Sequence, residues 1–257
     1  MIDRSAFAAI VREAGATVRA AFGGPLASAC KSDGSPVTEV DRSVDAFLHE
    51  KLSGLLPDAG WLSEETADDA RRLSLPTCWI VDPIDGTSQL LRGIPELSIS
   101  VALVRDGEPV AAAVLNPMSG EEGIWTEGEP PAFRGLTPSS AGDSLDAIEA
   151  IVSRTESESG ELARVRGVVR SFRPVGSVAY KLLRVAARAD AVTFSLRPKS
   201  EWDVCAGIAL VEAAGGVYVR LDDRPVRFNQ AVPVIPSGAV AGPAGLAEAL
   251  ADRLRRR

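Results

Sequence analysis

The sequence predicts a layered α/β protein, and three observations carry that reading. Near the N-terminus apolar residues recur three or four apart, the period of a helix that buries one face. From Leu97 to Thr126 three β-rich runs are separated by the turn signals Asp106-Gly107 and Asn116-Pro117, the pattern of an antiparallel meander. Past a Pro/Gly-rich stretch from Glu127 to Asp143, strand-like and helix-like segments alternate, the rhythm of an α/β sheet.

In chain order, Phe7, Ile10, Val11, Ala14, Val18 and Phe22 mark a helix from Ser5 to Phe22 that Gly23-Gly24-Pro25 ends. The loop "CKSDGSPVTEVD" follows, with a turn signal at Asp33-Gly34. Thr38 and Asp41 form a capping-box pattern that opens a second helix carrying Val40, Val44, Phe47, Leu48 and Leu52. Gly60 to Leu62 is a short strand running into "SEET", and "CWIVD" is a buried strand. In the second half, strands are expected in "AIEAIVSR", "SFRPVGS", "DAVTFSL" and "GVYVRL". Helices are expected near Glu158 to Val165, over Val178 to Ala187 and Trp202 to Ala214, and last over Ala244 to Arg256. The change of rhythm divides the chain into an N-terminal lobe, residues 1–135, and a C-terminal lobe, residues 136–257.

With 257 residues, 46% of them hydrophobic, the chain can bury a sizeable core. No apolar run reaches the roughly 18 residues of a membrane span, and "MIDRSAFAAIVREAG" lacks a signal peptide's apolar block, so a cytoplasmic location is expected. Cys30, Cys78 and Cys205 form no C-x-x-C pair and read as buried free thiols. A net charge of -7 argues against a nucleic-acid polymer as partner, and the "RLRRR" tail reads as a solvated helix end. The single histidine, His49, reads as a helix-surface residue, which leaves no Ser-His-Asp triad and no His-based metal site. Chemistry therefore falls to carboxylates.

The stretch "WIVDPIDGTSQLL", Trp79 to Leu91, delivers two carboxylates to one turn. Asp82 precedes a proline and is biased to extended backbone, so the strand continues through it before Asp85-Gly86 turns the chain. Around such a bend Asp82, Asp85 and the Ile84 carbonyl can converge, and Gly86 permits a close backbone approach. Thr87 then falls in the first turn of a helix, where free N–H groups favour an anion such as phosphate. Asp-Gly is also common turn chemistry, and each acidic residue alone reads equally as solvated or capping. Glu64 after its own short strand and Asp203 at a helix start supply the company that changes the reading. Brought together, these carboxylates would repel one another unless hard divalent cations neutralised them, and an all-oxygen ligand set suits Mg²⁺.

"LSEET", "WIVDPIDGT" and "EWDVCAGIALVEAAGG", in that order, resemble the three signature segments of the inositol monophosphatase superfamily, lithium-sensitive and Mg²⁺-dependent phosphatases. The resemblance implies an αβαβα sandwich and a homodimer. It implies a first metal on Glu64, Asp82 and the Ile84 carbonyl, a second on Asp82, Asp85 and Asp203, and a weaker third near Glu64. Thr87, bonded to Asp41, would orient the attacking water, making Glu64, Thr87 and Asp41 the catalytic group. Gly86, Thr87 and Ser88 would grip the phosphate.

Within the superfamily, "KSDGSPVTEVD" and "GSVAYK" look most like the bacterial 3'(2'),5'-bisphosphate nucleotidase branch, though the spacing from the Gly-Ser pair to Lys181 is one residue longer here. That implies hydrolysis of adenosine 3',5'-bisphosphate to AMP, with Lys31, Ser177, Lys181 and Lys199 lining the substrate pocket. In the inositol-1-phosphate enzymes an acidic residue before the Trp-Asp pair binds ring hydroxyls, where this chain reads "SLRPKS". Arg197 or Lys199 there would favour a second negative group, or would simply face solvent. An inositol or sugar phosphate remains the alternative substrate, and an inactive ion-binding scaffold the alternative without catalysis.

Overall fold

The structure is a computed structural model that describes residues 2–31, 34–139, 142 and 144–257. Helix α1 (Arg4–Ala21) starts at Asp3, whose Oδ1 accepts the Ser5 and Ala6 amides at 2.8 and 3.2 Å. A small hairpin of β1 (Ser28–Cys30) and β2 (Pro36–Thr38) leads to α2 (Glu39–Leu55), which opens on the expected Thr38–Asp41 capping box. Asp33 of the expected Asp33-Gly34 turn lies outside the described residues.

The first large sheet has six strands in sequence order: β3 (Gly60–Ser63), β4 (Thr77–Asp85), β5 (Ser98–Arg105), β6 (Glu108–Leu115), β7 (Glu122–Thr126) and β8 (Ala132–Arg134). Helix α3 (Thr87–Leu91) follows β4 directly. Strands β3 and β4 are parallel, and the rest form the expected antiparallel meander. The β5–β6 turn places both Asp106 (φ 53°) and Gly107 (φ 84°) in the left-handed region, as a two-residue hairpin of this twist requires.

Alternation along the strands fixes the layers. Trp79, Val81, Val101, Leu103, Ala111 and Ala113 pack with Phe7, Val11, Leu48 and Leu52 of α1 and α2. Their neighbours Cys78, Ile80, Ala102, Val104, Ala112 and Val114 face the opposite side, against two further helices.

Those helices are α5 and α6. The second half runs β9 (Glu149–Ser153), α4 (Arg154–Glu158), a 3₁₀ turn (Glu161–Val165), β10 (Ser171–Val175), α5 (Val178–Ala186), β11 (Val192–Ser195), β12 (Lys199–Ser200) and α6 (Glu201–Ala213). It closes with β13 (Val217–Arg220), β14 (Val234–Ile235), β15 (Ala239–Gly242) and α7 (Ala244–Arg255). A mixed five-stranded sheet, β10-β9-β11-β15-β13, covers the other side of α5 and α6 through Ile151, Tyr218 and Ala241. Its outer face, with Ala150, Val152, Val192 and Phe194, packs on Ala247, Leu250 and Leu254 of α7. The layers are therefore helix, sheet, helix, sheet, helix, the expected αβαβα sandwich.

Helix α6 is apolar all round because it is sandwiched between sheets, with Val204, Cys205, Ile208, Leu210 and Val211 all buried. It lies so close to α5 that a Cβ built on Gly207 would come 2.5 Å from Leu182 Cβ.

Three local expectations are corrected. The helix expected over Glu158 to Val165 is split, because Gly160 adopts φ 79° between α4 and the 3₁₀ turn. Cys30 is exposed, since it lies on a two-stranded hairpin too small to cover it, whereas Cys78 and Cys205 are buried free thiols. Strand β15 pairs with both β11 and β13 but has no counterpart in the expected strands. His49 is exposed beside the Trp61 ring, as expected. Among the described residues no helix is long and apolar enough to cross a membrane.

Candidate active site

Parallel pairing of β3 with β4 sets Ser63 against Val81, so Glu64 leaves its strand beside Asp82. The Glu64 amide donates to the Val81 carbonyl at 3.3 Å. Asp45 of α2 fixes this strand end by accepting hydrogen bonds from the Ser63 and Thr66 hydroxyls. Strand β4 continues beyond Asp82, as its proline dictates, but its pairing with β5 slips between Asp82, opposite Ser100, and Asp85, opposite Ser98. Within that bulge Asp82 Oδ1 accepts the Ile84 amide at 3.0 Å. Gly86 turns the chain at φ 111°, and a Cβ there would sit 3.2 Å from Leu97 Cβ.

Thr87, the first residue of α3, donates its hydroxyl to Asp41 Oδ1 at 2.6 Å. The other oxygen of Asp41 accepts the Thr38 amide at 2.8 Å and the Thr38 hydroxyl. One carboxylate thus starts a helix with one oxygen and holds the threonine with the other.

The later helices complete the set. Ser177 caps α5 by accepting the Tyr180 amide, and its hydroxyl also donates to Asp85 Oδ2 at 2.7 Å. The Ala179 amide donates to the same oxygen at 2.6 Å. Asp203, in the first turn of α6, accepts the Ser200 amide at 3.0 Å.

Charge repulsion marks these residues as one site. Burial raises the pKa of Asp82, and the nearby charges of Glu64, Asp85, Asp203 and Asp41 raise it further. Asp203 is pushed up to about 8 by burial, then by Asp85 and Glu64. Glu64 is raised by burial against the opposing pull of Lys31, whose ammonium lies 2.6 Å from both Glu64 Oε1 and Glu65 Oε1. Among the described residues no three acidic, histidine or cysteine side chains are drawn in tightly enough to form a closed cation cage. Protein donors hold the carboxylates instead: Lys31 on Glu64, Ser177 and Ala179 on Asp85, Ser200 on Asp203. A repelling, all-oxygen set of carboxylates around a backbone bulge fits a hard divalent cation.

The basic residues expected in the substrate pocket behave differently. Lys181 is 3% exposed and donates to the carbonyls of Ser177 (2.5 Å) and Val175 (3.3 Å), so its ammonium is turned onto the protein's own backbone. Burial pulls this ammonium down to about 8. Arg197 is paired with Glu161, and Lys199 lies 3.7 Å from the buried Glu156. Lys31 is engaged by the two glutamates, while Ser88 is exposed at the start of α3. Glu201 is spent on the Asn229 and Gln230 amides, at 2.6 and 3.0 Å. Glu65, which shares Lys31, and Ser98, 2.9 Å from the Ser177 hydroxyl, were missing from the candidate residues. The "EE" pair was the only sequence signal for the first, and the second needs the β4–β5 pairing.

Acidic strand ends, a carboxylate-held threonine and a helix start at the same turn are the kinds of parts that a metal-dependent phosphoryl-transfer site uses. Comparison with known proteins gives the family: residues 2–256 match the model of the inositol monophosphatase family. An inositol-1-monophosphatase of Rhizobium meliloti is 35% identical over 191 residues, 70% of each chain. The 3'(2'),5'-bisphosphate nucleotidase CysQ of Aggregatibacter actinomycetemcomitans is 27% identical over 242 residues, 91% of this chain and 90% of its own. The extragenic suppressor protein suhB of Bartonella henselae superposes with a TM-score of 0.82 at 25% identity, covering 98% of both chains. The chain belongs to the inositol monophosphatase family and is a Mg²⁺-dependent phosphomonoesterase. Among its relatives the inositol monophosphatase name predominates over the CysQ name.

Proposed function

We propose that the enzyme hydrolyses a small polyhydroxy phosphate monoester, with inositol-1-phosphate as its reference substrate, through direct attack of water. The observation that carries this reading is the engagement of every basic side chain considered for a second phosphate: Lys181 by carbonyls, Arg197 by Glu161, Lys31 by Glu64 and Glu65, and Lys199 beside Glu156. A remote phosphate would have to break one of these pairs before it gained its own charge-assisted contact. The predominance of inositol monophosphatase names among the relatives supports the same choice.

In this proposal Glu64, Asp82, the Ile84 carbonyl, Asp85 and Asp203 hold two to three Mg²⁺ ions. Bound there, Mg²⁺ neutralises the phosphoryl oxygens and makes water a better nucleophile. The Thr87 hydroxyl, its proton committed to Asp41, presents a lone pair that accepts a hydrogen bond from the incoming water and aims the water's oxygen. The first-turn amides of Gly86, Thr87 and Ser88, lacking intrahelical acceptors, face the phosphate. No side chain need form a covalent intermediate. The homodimer implied by the family resemblance is part of this proposal, and sedimentation would test it.

The second reading, 3'(2'),5'-bisphosphate nucleotidase, is favoured by the CysQ relative, which matches 91% of this chain. Phosphate release from purified enzyme on a panel of inositol-1-phosphate, other sugar phosphates and adenosine 3',5'-bisphosphate tests the choice. Higher kcat/KM on inositol-1-phosphate is expected. A preference of tenfold or so for the bisphosphate, the scale of one charge-assisted hydrogen bond, would promote the nucleotidase.

A further inference from the structure

The segment from β10 to α5 packs directly on the residues that follow Asp85. The Gly176 amide donates to Glu96 Oε2 at 2.7 Å, and a Cβ on Gly176 would come 2.5 Å from the Glu96 carbonyl oxygen and 2.6 Å from Gln89 Cγ. The next residue, Ser177, has φ 54° and ψ 130°, a left-handed conformation that a residue with a side chain adopts only when its surroundings enforce it. In that conformation the Ser177 hydroxyl and the Ala179 amide both reach Asp85 Oδ2.

Beneath this turn lies Lys181. Its ammonium donates to the carbonyl oxygens of Ser177 and Val175, on either side of Gly176. The side chain is almost wholly buried and, among the described residues, makes no ion pair within contact distance. The charged groups in its field are Asp85, Glu156 and Glu96, which favour its charge, and Lys199, which opposes it. An apolar side chain of the same length would fill this space without desolvating a charge. The amine instead ties down two carbonyl groups that frame the strained serine.

We propose that Lys181 is a positioning residue for Asp85: by clamping the Val175 and Ser177 carbonyls it holds the Ser177 hydroxyl and the Ala179 amide on one oxygen of Asp85, leaving the other aimed at Mg²⁺. The inference rests on the assignment of Asp85 as a metal ligand. Partners of metal-ligating side chains fix ligand orientation, and their loss typically lowers metal affinity by about 10–100-fold.

The sign of the effect separates positioning from simple charge. Removing a cation from the neighbourhood of Asp85 would by electrostatics alone strengthen Mg²⁺ binding. Loss of a positioning clamp weakens it.

The test is calorimetric titration of substrate-free protein with Mg²⁺, for the unaltered chain, Asp85→Asn, Lys181→Met, Ser177→Ala and the Lys181→Met/Ser177→Ala double variant. We expect Asp85→Asn to abolish binding at the position it shares with Asp82 and Asp203, and Lys181→Met and Ser177→Ala each to weaken binding there by about tenfold or more. The double variant should be little worse than either single variant, because both act through the same donors. Unchanged or tighter binding by folded Lys181→Met, alongside a defective Asp85→Asn, overturns the inference and leaves the metal site intact. Full additivity in the double variant overturns the route through Ser177. If Lys181→Met does not fold, Ser177→Ala decides alone, and normal binding by that variant overturns the proposal. Normal Mg²⁺ binding by Asp85→Asn removes the metal-ligand assignment itself, and this inference falls with it.

Discussion

The Thr87 hydroxyl donates to Asp41 Oδ1 across 2.6 Å, joining the first residue of α3 to the first turn of α2. Both groups are buried, and Asp41 Oδ2 is already committed to Thr38, so the hydroxyl proton has a fixed direction. In the proposed mechanism the oxygen lone pair of Thr87 is the one that would meet water. Thr87→Ala is therefore expected to lower kcat by about 10²–10⁴-fold while costing only about 1–3 kcal/mol of stability, that of one buried acceptor left unpaired. Thr87→Ser should keep much of the activity. Near-normal turnover by the alanine variant would refute the water-orienting role.

Activity is expected to disappear in excess chelator and to return with Mg²⁺, since the site offers carboxylates and a carbonyl but no activated protein nucleophile. Lithium, a small ion with half the charge, is expected to inhibit by competing at the Asp82, Asp85 and Asp203 position. A phosphate-release assay across Mg²⁺ and Li⁺ concentrations measures both effects. Turnover in excess EDTA equal to that in Mg²⁺ would contradict the first.

The raised carboxylate pKa values set the sign of a pH effect. Asp203 moves from an ordinary carboxylate value up to about 8, and Asp82 and Glu64 move the same way. Between an unfolded value of about 4 and the raised folded values, the folded protein binds more protons than the unfolded chain. Their contribution to stability is therefore fully present below that unfolded value and is lost as pH rises through the folded ones. Metal-free enzyme should melt at progressively lower temperature between about pH 4 and pH 8, and Mg²⁺ should flatten the decline. Calorimetry in two buffers should show proton release on Mg²⁺ binding. A melting temperature that climbs with pH across this window in chelator would contradict the assignment.

Arg72 is 1% exposed and donates to Asp68, to the Asn229 side chain and to the Gln230 carbonyl. Asn229 and Gln230 in turn give their amides to Glu201, two residues before Asp203. Arg72→Ala removes a buried guanidinium and leaves the Asn229 and Gln230 oxygens unpaired, so it should cost about 1–3 kcal/mol, read from urea unfolding with Mg²⁺ present. A change below about 0.5 kcal/mol would show the network to be dispensable.

Much of this arrangement was legible because its signals are local. The Thr38–Asp41 box, the Pro83 bias that extends β4 and the Asp106-Gly107 hairpin each depend on a few adjacent residues, and each appears where expected. Lys181 was not legible: a lysine near a Gly-Ser pair reads as a substrate ligand until the packing of α5 turns it onto backbone carbonyls. The two-stranded pairs β1–β2 and β12–β14 escaped because strands of two or three residues show no alternation. The split at Gly160 was missed because the run before it, Arg154 to Ser159, is wholly polar and carries no apolar period to place α4.

Gly207 lets α6 lie directly against Leu182 of α5. Asp203 lies four residues before Gly207 on α6, and the donors that hold Asp85 lie just ahead of Leu182 on α5. Any side chain at position 207 would act as a shim between the two helices, and the extra width would appear at their N-terminal ends as a larger gap between carboxylates. Mg²⁺ needs oxygen ligands near 2.0–2.1 Å in near-octahedral order, whereas Ca²⁺ accepts about 2.3–2.6 Å and irregular geometry. If Asp85 and Asp203 hold Mg²⁺ as proposed, the missing methyl group at Gly207, one helical turn below them, would keep the gap between their oxygens too narrow for calcium.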